Sequence, residues 1–296
     1  MSDWEGKSKG NATGYKIFIA LINFFGLGAA YIILNFVALY FFLFSFKSKK
    51  HILWYFKNIH QFSFWKSQRY TFKNFYAIGV SILDKVALLS GKNPNFTFDF
   101  DGEKYFHQLV KEGNGGIIVG AHIGNWEIAG QLMSRIDIKV NIVMKLNEDE
   151  AIKEVIEKAV HLKQMNIINI ADDFSYLIEI KKALDNNEFV ILHGDRFVDE
   201  SNIATLDFMG HKANFPMGPF LLALKFRKPI TFAFAMKERK KHYHFYATKP
   251  IYNTKRTSTS ALQEKTIALM KEYTKALEPM LKKHPEQWFN YYKFWK

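Results

Sequence analysis

Between Phe96 and His193 short apolar runs alternate strictly with helical patterns, and this alternation constrains the fold of the 296-residue chain more than any other feature. Phe96 to Phe100 alternates as a strand, Asp101-Gly102 turns, and Glu103 to Lys111 follows as a helix. Asn114-Gly115-Gly116 feeds Ile117-Ile118-Val119, a β-branched, uncharged run that reads as a buried strand. Ile138 to Met144 predicts a strand, Glu148 to Gln164 a Glu/Lys-rich helix, and Asn166 to Ile170 a strand. A helix over Phe174 to Asp185 and a strand over Phe189 to His193 complete the run. Such a pattern predicts βαβ units with right-handed crossovers, hence an α/β fold whose mostly parallel sheet is flanked by helices.

In an open parallel sheet, chemistry collects at the carboxyl ends of the strands. His122 falls at such an end. Asn125 can cap a following helix that carries Trp126, Ile128, Ala129, Leu132 and Met133 at helical spacing. Glu127 lies in the first turn of that helix and can fold back towards the imidazole. A carboxylate on one ring nitrogen fixes the tautomer and raises the basicity of the other. The free nitrogen can then act as a general base. No Ser sits in a G-x-S-x-G elbow and the chain has no Cys, so a catalytic His122 would activate an acceptor directly, without an acyl-enzyme. On spacing alone, a histidine that merely ends a strand accounts for the pattern equally well. The strand ending at His193 runs into Asp195 and Arg196, which should therefore sit at the same edge beside His122. They read either as site residues or as a surface ion pair. The Arg196 guanidinium offers a planar fork suited to phosphate or carboxylate.

Upstream, Ile17 to Phe46 carries no charged residue. About 20 apolar residues span a bilayer as a helix, so the stretch is long enough. It is followed by Lys47, Lys49 and Lys50 rather than a small-residue cleavage site, which argues against a removable signal. Gly26 and Gly28 divide it, so it reads as a membrane-anchoring helix or as a hairpin in one leaflet. His51 to Leu89 mixes Phe, Tyr and Trp with Lys and Arg, as amphipathic helices held at an interface would. Gly91 to Pro94 breaks the pattern. The expected division is thus a membrane-anchoring and amphipathic region over 1–92 and an α/β domain over 93–296.

Lys and Arg number 41 against 28 Asp and Glu, a net charge of +13. That balance suits nucleic acid or an anionic membrane surface. Aromatic residues make up 17% of the chain, 29 of them Phe, and no nucleic-acid-reading motif interleaves with the basic residues; both facts favour the membrane. The absence of Cys excludes disulfides and thiolate zinc sites. Nothing in the pattern calls for a metal.

The segment HIGNWE from His122 to Glu127 resembles the His-x4-Glu signature of the lysophospholipid acyltransferase superfamily, in the branch typified by the late acyltransferases of lipid A biosynthesis. Three further blocks fall in the order of that branch: HGDR from His193 to Arg196, FMGHKANFPMGP from Phe208 to Pro219, and HPEQWF from His284 to Phe289. The likeness covers roughly Phe96 to Lys296. It implies a glycerolipid acyltransferase-like fold, with His122 as general base and Glu127 as the residue that orients it. Asn125, Trp126, Lys145, Asp195, Arg196, Gly210, Lys212 and Pro216 become candidate substrate-binding positions. Phe208 to Pro216 reads as a turn leading into a Pro-initiated helix that shapes a groove for the acyl chain or its carrier. Backbone N–H groups near the start of the Asn125 helix, with Arg196 as helper, are the candidate oxyanion donors. Lys145 stands where relatives often carry Arg, which leaves the acceptor open.

The resemblance further implies no bound cofactor, only an acyl carrier protein or CoA thioester as co-substrate. It implies a lipid A precursor as acceptor and a position on the bacterial inner membrane with the catalytic domain facing the cytoplasm. The segment Ile82-Leu83-Asp84-Lys85 and the HPEQWF ending also resemble acyltransferases found with aryl polyene and flexirubin pigment synthesis. A lysophospholipid, an aminolipid or a polyene or resorcinol pigment precursor is therefore an alternative acceptor. A membrane-anchored lipid-binding protein without activity is the reading from another class.

Overall fold

A computed structural model describes residues 12–89, 95–128, 136, 138–145, 165–170, 173–197, 202–254 and 258–296, without the side chains of 12–16, 89 and 127. The expected helix over 148–164 and the expected boundary at 91–94 lie outside these residues. Nine strands appear among those described: β1 (Thr97–Asp101), β2 (Gly116–Gly120), β3 (Val140–Met144), β4 (Met165–Asn169), β5 (Phe189–His193), β6 (Ile203–Phe208), β7 (His211–Pro216), β8 (Ile230–Arg239) and β9 (His242–Ala247). Seven of them form one sheet in the order β1-β9-β8-β2-β5-β3-β4. Every neighbouring pair is parallel except β8 and β9, so the fold is the mostly parallel α/β architecture that the alternation predicts.

The central strand shows why the chain folds this way. All five residues of β2 are buried. Ile117 and Val119 join a cluster containing Leu269, Met270, Tyr273 and Leu277 of the helix Thr259–Lys283. Ile118 points to the other face, with Phe106 and Leu109 of the helix Glu103–Lys111. A strand sandwiched between two helical layers has no polar face, and its sequence has none.

The N-terminal third is helical: α1 (Ala12–Phe44), α2 (Phe46–Trp54), a π-helical turn (Tyr55–Ile59) and α3 (Phe64–Leu89). Gly26 interrupts α1 with φ 78°, as its position in the apolar stretch suggests. One face of α1 is buried: Ile22, Leu27, Ala30, Tyr31 and Leu34 pack on Val80, Leu83, Val86 and Ala87 of α3. The opposite face leaves Phe24, Phe25, Ile32, Phe36 and Tyr40 largely exposed, and Phe46, Phe64 and Trp65 are exposed as well. Among the described residues the segment Ile17–Phe44 is long and apolar enough to cross a membrane. An apolar surface of this extent marks a lipid or protein contact in a stable chain.

Two expectations need correction. Phe208 to Pro216 is no helix start: β6 and β7 pair antiparallel in a hairpin whose turn, Met209-Gly210, has φ of 54° and 81°. Two residues in the left-handed region make the turn whose twist matches paired strands. The helix that follows starts at Gly218, and Pro219 rather than Pro216 occupies its first turn. Asn125 does not cap the turn that follows it, since its Oδ1 accepts no hydrogen bond, and the remainder of the expected helix, over 129–135, lies outside the described residues. Its Nδ2 donates to the Ser81 carbonyl at 3.1 Å and to the Tyr243 hydroxyl at 3.3 Å, and Trp126–Ile128 is a 3-10 turn.

Candidate active site

The site is set by strand register. β2 and β5 are adjacent and parallel, with Gly120 opposite His193. Extended two residues past each strand, the same offset brings His122 opposite Asp195. The Asp195 carboxylate is fully buried and accepts at both oxygens. Its Oδ1 lies 2.8 Å from His122 Nδ1, and its Oδ2 takes the His122 backbone N–H at 2.9 Å and Asn290 Nδ2 at 2.9 Å. On the other edge of the His122 ring, Nε2 is 3.2 Å from His193 Nδ1. The two imidazoles meet edge to face with centroids 4.2 Å apart, and Trp126 closes on His193 at 5.1 Å.

Two glycines make this edge possible. Gly124 adopts φ +64°, and a Cβ there would stand 2.0 Å from the Ala235 carbonyl oxygen. At Gly194 a Cβ would meet Val119 Cγ1 at 2.8 Å and the Tyr273 ring at 3.0 Å. Side chains at either position would force β2, β5 or β8 apart.

The C-terminal block braces the same edge. Phe289 N–H donates to the His122 carbonyl at 2.8 Å, and Gly124 N–H donates to the Gln287 carbonyl at 2.9 Å. The Tyr292 hydroxyl donates to the Asp195 carbonyl at 2.8 Å, and Tyr273 to that of Gly120 at 2.9 Å. Arg196 points into this block, donating from Nε to Asn290 Oδ1 at 2.8 Å and from its terminal nitrogen to the Phe289 carbonyl at 2.6 Å. Its guanidinium thus fixes which way the Asn290 amide faces, with Nδ2 towards Asp195.

Electrostatics follow from burial. Burial alone would raise the Asp195 carboxyl, but the His122 imidazole bonded to it, then His193 and Arg196, hold it well below the usual carboxylate range. Burial pushes the His122 imidazole below its ordinary 6.5; the nearby Arg196 charge adds to this and Asp195 opposes it. His193 is pushed further down, by burial and then by His122. Both rings are therefore neutral at pH 7. A carboxylate can only accept, so His122 carries its proton on Nδ1 and presents a lone pair at Nε2.

The candidate residues separate into groups. His122, Asp195, Arg196 and Trp126 converge at the β2–β5 edge. Lys145 follows the end of β3, one strand beyond β5 at the same carboxyl edge. The Glu127 side chain, expected on His122, lies outside the described residues, and the carboxylate found at Nδ1 is that of Asp195. Gly210, Lys212 and Pro216 lie on the β6–β7 hairpin. There Lys212 pairs with Asp207 at 2.8 Å, and its carbonyl accepts from Lys296 N–H at 2.9 Å. The N–H groups expected to serve as oxyanion donors are engaged at two positions, Gly124 by Gln287 and Asn125 by the Ala235 carbonyl at 2.8 Å. His193, Asn290 and Tyr292 belong to the site and were not among the candidates. His193 opens the HGDR block, and only the strand register reveals what it faces.

One donor atom each of His122, His193 and Asp195 lies within 4.8 Å of the others, close enough for an ion. The hydrogen bonds, however, use opposite edges of the His122 ring, so the three groups form a chain rather than converge on one point. Beside the chain runs a narrow, largely apolar crevice lined by His193, Trp126, Ile123, Ile118, Phe106 and Phe234.

No curated protein matches the chain. Among solved structures it is similar to the 1-acyl-sn-glycerophosphate acyltransferase PlsC from Thermotoga maritima. The two share 14% identity over 83% of this chain and 98% of that one, at a TM-score of 0.39, a likeness too distant to bear on function. The model of the bacterial lipid A biosynthesis acyltransferases matches residues 14–296, almost the whole sequence, and the chain belongs to that family of lipid-acylating enzymes.

Proposed function

We propose that this acyltransferase moves a fatty acyl group from an acyl carrier protein or CoA thioester directly onto a hydroxyl or amine of a membrane lipid. His122 is the general base. The observation that carries the reading is the buried Asp195 carboxylate on Nδ1 of His122, which fixes the tautomer and leaves a basic lone pair at Nε2. The acceptor O–H or N–H yields its proton towards that lone pair as oxygen or nitrogen attacks the thioester carbon. The C–S bond then breaks, and the departing thiolate takes the proton back. Glu127, at its signature position in the same loop, is the second carboxylate that orients His122.

The apolar crevice beside His193 and Trp126 suits an acyl chain. The uncovered apolar face of α1, with Phe64 and Trp65, suits attachment to the cytoplasmic leaflet of the bacterial inner membrane, which keeps the site beside its lipid acceptor. The net charge of +13 favours encounter with an acidic carrier protein. Within the family, a lipid A precursor is the acceptor we favour; no bound cofactor enters the scheme.

Purified protein in lipid vesicles, supplied with acyl carrier protein or CoA thioester, should release free thiol and form an acylated lipid. His122→Ala should lower that rate by about 10²–10⁴-fold, the usual worth of a positioned general base. Mass spectrometry of lipids from cells with and without the protein would identify the acceptor. Unchanged turnover in His122→Ala would remove the reading.

A further inference from the structure

We infer that His193 is a second catalytic imidazole: it takes the acceptor's proton at Nε2 and passes its own Nδ1 proton to His122. The inference rests on the reading of His122 as base and deepens it. Three observations carry it. First, Nε2 of His122, the lone pair that a base must offer, lies 3.2 Å from Nδ1 of His193. Because Asp195 fixes the His122 proton on Nδ1, His193 has to supply the hydrogen of this contact. Its own Nδ1 is then protonated and its Nε2 is the basic nitrogen. Second, the imidazole lining the apolar crevice is His193, together with Gly120, Ala121 and Trp126, while His122 is not part of that lining. Third, His193 is held in place: it ends β5 opposite Gly120 and packs edge to face on both His122 and Trp126.

The step balances. The acceptor's proton goes to His193 Nε2 while the His193 Nδ1 proton goes to His122 Nε2, leaving His193 neutral in its other tautomer. His122 becomes an imidazolium facing the Asp195 carboxylate. The acceptor oxygen or nitrogen forms its bond to the thioester carbon. When the C–S bond breaks, the proton returns along the same chain, from His122 to His193 and from His193 Nε2 to the thiolate. Asp195 stays ionised throughout, and no other reactant is needed.

The experiment compares His122→Ala, His193→Ala and His193→Asn in the vesicle acyl-transfer assay, with circular dichroism to show that each variant is folded. Asn places an N–H where His193 has Nδ1, so it keeps the hydrogen bond to His122 but has no counterpart of Nε2. A relay predicts that both His193 variants lose about 10²–10⁴-fold in rate, the loss of a proton-transfer group. If His193→Asn restores most of the activity lost in His193→Ala, His193 only orients His122 and the relay is overturned. If His122→Ala is itself fully active, the parent reading fails instead, so the two failures are distinct. Should the variants not fold, rates of the unaltered protein in mixtures of light and heavy water decide the question. Two protons in flight give a bowed dependence on deuterium fraction, and a straight line overturns the relay.

Discussion

Among the described residues two carboxylates are completely buried, and they do opposite work. Asp195 sits at the β2–β5 edge among neutral donors: an imidazole, a backbone N–H and an amide. Asp84 sits on α3, contacted by the Lys237 ammonium and by the hydroxyls of Tyr31 and Tyr243. The first is linked to groups that can hand a proton on. The second ties α1 and α3 to β8 and β9 through an ammonium and two phenols, one of which, Tyr243, also accepts from the Asn125 amide. Burial dominates at Asp84 and raises its carboxyl despite Lys237, whereas at Asp195 the surrounding positive and polar groups win and lower it. Burial alone therefore does not make a carboxylate catalytic; what accepts or donates on its far side does.

The sharpest way to break this contrast is to neutralise each carboxylate in turn. Asp195→Asn keeps the shape but can donate to His122 Nδ1, which would shift the ring proton to Nε2, the wrong tautomer for a base. Turnover should fall by about 10²–10⁴-fold while the melting temperature moves little. Asp84→Asn leaves the Lys237 charge buried without its counter-ion, a defect that costs about 3–5 kcal/mol in folding stability. Its activity per folded molecule should stay within a fewfold of the unaltered chain. Steady-state rates and thermal unfolding, measured side by side, would refute the division of labour if Asp84→Asn proved the less active of the two.

Glycines sharpen the same comparison at a smaller scale. Gly124 and Gly26 both have positive φ, but a Cβ on Gly124 would strike the Ala235 carbonyl oxygen at 2.0 Å, and one on Gly26 would meet nothing within 4 Å. Gly26→Ala carries only the backbone penalty of a region essentially confined to glycine, about 1–3 kcal/mol. Gly124→Ala adds the clash and displaces the His122 loop, so it should lose more stability and also activity. Equal melting temperatures for the two variants would mean that the loop is free to move.

How far the sequence alone reaches follows from the same two regions. Strand–helix alternation and the Gly-bounded GIIVG run locate β2 and β5 to within a residue or two, because a strand buried on both faces must be continuously apolar. The position of His122 at a strand end follows directly. Its partner does not. Glu127, five residues on, is the local candidate; Asp195, 73 positions away, reaches Nδ1 because of parallel register, which no local pattern encodes. Asn290, and what Arg196 bonds to, are hidden for the same reason: their contact joins the β5 edge to the aromatic ending of the chain. The β6–β7 hairpin escapes because Met209 takes a left-handed conformation that Met rarely adopts, so the sequence shows one turn glycine where two would have been a clear signal.

Titration offers the finest discrimination. Burial and then the Arg196 charge hold the His122 imidazole below 6.5, and Asp195 pulls it back up. The neutral base therefore persists below the range of a free imidazole, and the acid limb of kcat/KM should fall below pH 6.5. The neighbours act with opposite signs, which makes the test independent of the limb's absolute position. Arg196→Gln removes a charge that opposes protonation, so the limb should move up; Asp195→Asn removes one that favours it, so the limb should move down. Stability follows the same sign. Folded His122 and His193 bind protons less readily than the unfolded chain, so the folded state loses stability as pH drops through 6.5 and below. Replacing Lys237 at the Asp84 pin should leave the acid limb where it is, because that pair faces tyrosines rather than the imidazole chain. A limb that follows Lys237 but ignores Arg196 would mean that the two buried carboxylates belong to one electrostatic unit.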